Sequence, residues 1–191
     1  MKLHITISRV LVLACLVSCL FRQAAASEAS KELVEALADP KYMEKRLEER
    51  KKEVQSAIAV LKDEANTLEV RLNAVRLLRL LRDPESVDTL VFYLDKVRAD
   101  KFLEKSLATM YPCVLALRDI GIPAVHRALK ELHDTKEETR RSLLLLVIVG
   151  VQSKKVAKFM LNEALKLDLN DTQRANLRAA LASPYISAES E

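Results

Sequence analysis

The sequence predicts an all-α fold, a short α-solenoid of about three helical hairpins with flanking N- and C-terminal helices. Three observations predict it. Only two of the 191 residues are Gly, and a strand-rich domain needs more turn formers than that. Leu, Ala, Glu, Lys and Arg dominate the chain, and these are the strongest helix formers. Helix–corner–helix patterns then recur, most clearly over Ala116–Leu132, where one helix ends at Gly121 and the next opens at Pro123. With half of its residues hydrophobic and 30% charged, the chain has the composition of one folded domain rather than a disordered segment.

The N-terminus carries an address. Lys2 and Arg9 precede an apolar run over 10–21, and Ala24-Ala25-Ala26 then supplies small residues before Ser27. This is the organisation of a secretory signal peptide, predicted over 1–26. The run is bracketed by Arg9 and Arg22, well short of the ~20 residues a spanning helix needs. Leu16-Val17-Ser18-Cys19 also has the pattern of a bacterial lipobox, which would make Cys19 a lipidation site and tether the exported chain to a membrane. The expected location is therefore periplasmic or secreted, with a lipid anchor through Cys19 as the alternative.

Cleavage after Ala26 removes three basic residues and no acid, leaving 28 basic against 27 acidic residues, a net charge of +1. The long-range field that would draw nucleic acid or anionic membrane is lost with it. Only Cys113 survives, so no intrachain disulfide forms in the mature chain.

Residues 27–66 are expected to form an N-terminal helical cap. It holds a short helix over 31–38 stopped by Asp39-Pro40, then a long helix over about 41–64. Met43, Leu47, Val54, Ile58 and Leu61 keep one apolar face there, and Glu48 and Lys52 are spaced as an i, i+4 pair. Residues 67–182 carry the hairpins. In the first, Val70, Ala74, Leu77, Leu78 and Leu81 share a face, Asp83-Pro84 makes the corner, and Val87, Leu90, Val91 and Leu94 answer. In the second, Leu103, Leu107, Met110, Val114 and Leu117 form a helix kinked at Pro112, answered by Val125, Leu129 and Leu132. In the third, the apolar stretch 142–151 reads as a buried helix despite Val147-Ile148-Val149, and a helix over about 154–167 follows. A last helix, 172–181, is capped by Asp171, and 183–191 is expected to fray.

Val87, Val125 and Val156 align the second helices at separations of 38 and 31 residues, a spacing suited to helical-hairpin repeats that cannot bury a core singly. Ala116-Leu117-x-x-Ile120-Gly121-x-Pro123-Ala124-Val125, with Ala128-Leu129 following, resembles the HEAT-like repeats first described in phycobilisome lyases. Ala74-Val75-x-Leu77-Leu78, running on through Asp83-Pro84 to Val87 and Leu90, resembles the same consensus. The likeness covers about 67–167. It implies that the second helices line a binding surface, which places Asp88, Lys96, His126, Lys130, Lys154 and Lys158 at contact positions.

No catalytic constellation stands out. His126 and His133 lie seven apart on one helix, about 10.5 Å along its axis, too far to share a metal. Cys113 sits in an apolar stretch without a visible base. Gly-rich phosphate loops and Gly-x-Ser-x-Gly elbows are absent from the sequence. Arg71, Arg76, Arg79 and Arg82 fall within an arc of about 140°, but acids lie close by and no aromatics interleave, so local ion pairing is expected. The sequence thus points to an exported, non-catalytic scaffold with a protein partner, without catalytic, cofactor-binding or metal residues. The resemblance suggests a bilin-lyase-like enzyme as the alternative; a DNA-binding solenoid is the other, if the chain is not exported.

Overall fold

The computed structural model describes residues 38–99 and 106–187. The signal-peptide and lipidation expectations, most of the helix expected over 31–38, and Leu103 lie outside them. By its contacts the chain divides into two units, 1–51 and 52–191. Among the described residues there are ten α-helices, one 3₁₀ turn and no strand. The helices are α1 (Pro40–Lys62), α2 (Leu68–Leu81), α3 (Val87–Phe92), α4 (Leu107–Met110), α5 (Pro112–Ile120), α6 (Ile122–Asp134), α7 (Glu138–Val151), α8 (Lys154–Ala164), α9 (Asp171–Leu181) and α10 (Pro184–Ser187). The 3₁₀ turn, Pro84–Ser86, leads into α3. The fold is all-helical.

The start of α1 belongs to the first unit. Met43 and Leu47 are exposed there, and Glu49 rather than Glu48 takes the lysine and arginine partners, Lys45 and Arg46. In the second unit, Val54, Ala57, Ile58 and Leu61 of α1 are buried. They enter a core that continues to Ile186.

Local chemistry sets the helix ends. Thr67 caps α2 by accepting from the Val70 N–H, and Arg82 closes it in the left-handed conformation, its N–H donating to the Leu78 carbonyl. The Asp83 carboxylate accepts from the Glu85 N–H, with Pro84 opening the turn as expected. Pro112 does not kink a continuous helix. Tyr111, the residue before it, leaves the helical region, and Pro112 opens a new helix, α5. Gly121, at φ 88°, supplies the positive φ that lets α6 begin with a single residue between it and the end of α5. Asn170, not Asp171, caps α9, in a reciprocal capping box with Gln173.

The second unit packs in two rows. α2, α5 and α7 are successive neighbours in one, and α3, α6 and α9 in the other. α7 lies against α5, α6 and α10, which is why Leu143, Leu144, Leu145, Val147 and Ile148 are all fully buried. Arg118 of α5 runs beside Gly150, which stays exposed near the end of the helix. A Cβ there would fall inside that guanidinium.

Three packing expectations are revised. The buried face of α2 is Ala74, Val75 and Leu78, whereas Val70 and Leu77 are exposed. α9 rather than α8 lies beside α6, while α8 packs mainly on α9 and α10. Accordingly Val87 and Val125 are buried but Val156 is 41% exposed. Residues 184–187, expected to fray, form α10, whose Ile186 is buried.

Candidate functional site

Arg140 on α7 organises the surface around α3. Its guanidinium donates to the Asp95 carboxylate at 2.7 Å, to the Glu131 carboxylate at 3.0 Å and to the Val91 carbonyl at 2.9 Å. Arg127 on α6 donates to Asp88 at 2.7 Å and to Glu131 at 2.8 Å. The chain of charges ties α3 and the turn after it to α6 and α7. Burial works against ionisation of Glu131, but the hydrogen bonds from Arg127 and Arg140 outweigh it and hold its carboxyl below the ordinary glutamate range. Burial likewise opposes the Arg127 cation, and its bonds to Asp88 and Glu131 more than restore it, raising its pKa.

That frame holds an aromatic platform. α3 ends at Phe92, whose side chain stands out into solvent at 54% exposure. Its ring meets the buried Tyr93 ring edge to face, with centroids 4.9 Å apart at 81°. The Tyr93 hydroxyl donates to the Lys62 carbonyl at 3.3 Å, and the Arg71 guanidinium lies 5.0 Å from the Tyr93 centroid. The Lys96 ammonium sits 3.3 Å from the Phe92 centroid and 5.6 Å from that of Tyr93. Beside the rings opens a cleft of ≈ 450 Å³ lined by Lys62, Asp88, Thr89, Phe92 and Tyr93.

Of the positions expected to contact a partner, Asp88 and Lys96 meet at this platform. His126 and Lys130 are exposed on α6, the next helix of the same row. Lys154 and Lys158 belong to α8, which packs on α9 and α10. The arginines of α2 have separate local contacts. Arg76 donates to Asn73 and Arg79 to Asp119, Arg71 lies over Tyr93, and Arg82 serves as the helix cap.

Phe92 is not among the sequence candidates; Lys96 reaches its ring from the turn that follows α3, outside the helical spacing. Arg127, Arg140 and Asp95 are not among them either. Asp95 and Arg140 are 45 residues apart, and Asp88 and Arg127 are 39 apart.

The groups weighed for chemistry have structural surroundings. Cys113 is fully buried, and loss of water pushes its thiol up to about 12, against a smaller opposing pull from Arg71. The His133 carbonyl accepts from Asn176 at 2.7 Å, while His126 is exposed. No group of three His, Cys, Asp or Glu side chains suited to a metal occurs among the described residues, and no described helix is long and apolar enough to cross a membrane. No family model, curated protein or solved structure matches the chain.

Proposed function

We propose that the chain is an exported, non-catalytic protein-binding module, a scaffold of HEAT-like helical hairpins that engages its partner through the α3 face. The observation that carries this is Phe92. A half-exposed aromatic ring braced by a buried neighbour is already ordered, so covering it costs little side-chain entropy. Rigid aromatic anchors of this kind dominate the energetics of protein interfaces. The paired rows α2–α5–α7 and α3–α6–α9 support the HEAT-like architecture, although α9 takes the place the repeat pattern assigns to α8. The signal-peptide pattern of residues 1–26 supports export.

Catalysis is disfavoured at Cys113, whose buried thiol stays protonated at physiological pH, and at His126 and His133, which lie seven residues apart on α6 and do not converge. DNA binding through α2 is disfavoured by the engagement of Arg79 with Asp119 at 2.6 Å.

The test is affinity capture from the envelope and secreted fractions of cells that make the protein, with the chain from Ser27 as bait. A stoichiometric protein should be retained by the wild type and by Phe159→Ala, whose ring is exposed on α8, and lost with Phe92→Ala. Retention by all three baits would remove α3 as the contact surface.

A further inference from the structure

We propose that the cleft beside Phe92 takes a short acidic peptide segment bearing one aromatic or branched aliphatic anchor. This deepens, and rests on, the assignment of α3 as a protein-binding surface. The cleft volume of ≈ 450 Å³ accommodates one or two side chains, within the usual range of ligand pockets. Its walls divide by chemistry. Phe92, Tyr93 and the buried Thr89 give an apolar side against which an anchor loses its water.

The charge around it is not balanced. Asp88, the one acidic residue lining the cleft, is already paired with Arg127. Lys62 in the cleft wall and Lys96 on the Phe92 ring have no carboxylate partner among the described residues. A glutamate or aspartate beside the anchor would meet one ammonium without breaking an existing ion pair. It would leave Lys96 over the ring, where the cation–π contact holds it in place. A lysine or arginine in the same place would face the Lys62 ammonium instead, with the Lys96 charge on the adjoining Phe92 ring.

A nucleic-acid strand fits less well. Backbone tracking requires a row of cations, whereas Lys62 is the one cationic residue among those lining the cleft.

Fluorescence anisotropy with four labelled probes tests this. The first is a short peptide of glutamate and serine with one central phenylalanine. In the second, lysine replaces glutamate; in the third, alanine replaces phenylalanine; the fourth is single-stranded oligothymidine. The glutamate–phenylalanine peptide should bind the chain from Ser27 at least about 10-fold tighter than the other three, and more weakly as salt rises. Phe92→Ala and Lys96→Glu should each weaken it about 10-fold or more. Both side chains project into solvent, so unchanged helical circular dichroism and melting temperature confirm that loss of binding is not loss of fold.

Equal binding of the acidic and basic peptides, lost in Phe92→Ala, would overturn the acidic class and leave the protein-binding surface standing. Preference for oligothymidine, or binding indifferent to both substitutions, would overturn the proposal. If no peptide binds while capture through Phe92 still succeeds, the peptide class fails alone. If capture fails too, both fail.

Discussion

Burial opposes ionisation at both Cys113 and Glu131, and the neighbouring charges decide which way each group finally shifts. Around Cys113 loss of water outweighs every other influence, and the thiol rises to about 12. In the folded protein Cys113 should therefore take up no thiol label at pH 8, and should take it up once the chain is denatured; rapid labelling of Cys113 in the folded protein would contradict the placement of α5. Glu131 is only partly buried, and its two arginine partners prevail, lowering its pKa in the folded state. A carboxyl with a lowered folded pKa stabilises the fold above its unfolded value, about 4.3, and that contribution disappears as pH falls through the folded pKa. Glu131→Gln should thus lower the melting temperature at pH 7 and have progressively less effect as the pH falls below about 4. A difference that stays constant from pH 7 to pH 3 would show that the arginine pairs contribute nothing through charge.

Among the elements, legibility depended on whether the local signal had a rival nearby. The stretch around Val147 was readable as a helix because Thr139-Arg140-Arg141 runs into it without a breaker, and a helix surrounded by α5, α6 and α10 tolerates apolar residues on every side. The buried face of α2 was harder to read, because Leu72, Val75, Leu77, Leu78, Leu80 and Leu81 allow more than one apolar stripe. Packing against α5 selected Ala74, Val75 and Leu78. At the start of α9 two good capping residues stand side by side, and Gln173, three residues after Asn170, decides between them. Asn170→Ala removes one half of that box and should cost about 1 kcal/mol, measured by urea denaturation, whereas Asp171→Ala should cost less. The reverse order would restore Asp171 as the cap.

At the scale of the whole molecule, the all-helical class was legible and the pairing of the last helices was not. α8 contributes only Ala157 and Leu161 as fully buried residues. α9 contributes Asn176, Leu177 and Ala180, and it adds two polar ties to the end of α6, Asn176 to the His133 carbonyl and Gln173 to Asp134. These ties span about forty residues of sequence, and no periodicity records them. The proposed partner surface shares that property. Asp88 and Lys96 were candidates only through the HEAT-like resemblance, and the Arg127–Glu131–Arg140 chain that braces α3 exists only once α6 and α7 have packed. α5 is the common neighbour of α2, α3, α6 and α7, and Leu117 on it has no exposed surface. Leu117→Ala should cost about 2–5 kcal/mol and shift thermal unfolding as a single transition. An unchanged melting temperature would refute the packing described here.

The central claim is that a protein partner docks on the α3 face, and contact mapping in the cells that make the protein tests it most directly. A photoreactive phenylalanine analogue placed at position 92, and separately at position 159, reports what covers each ring. The account predicts one discrete protein adduct from position 92, diminished by Lys96→Glu in the same chain, and none from position 159. Absence of an adduct at 92, or the same adduct from both positions, would contradict it.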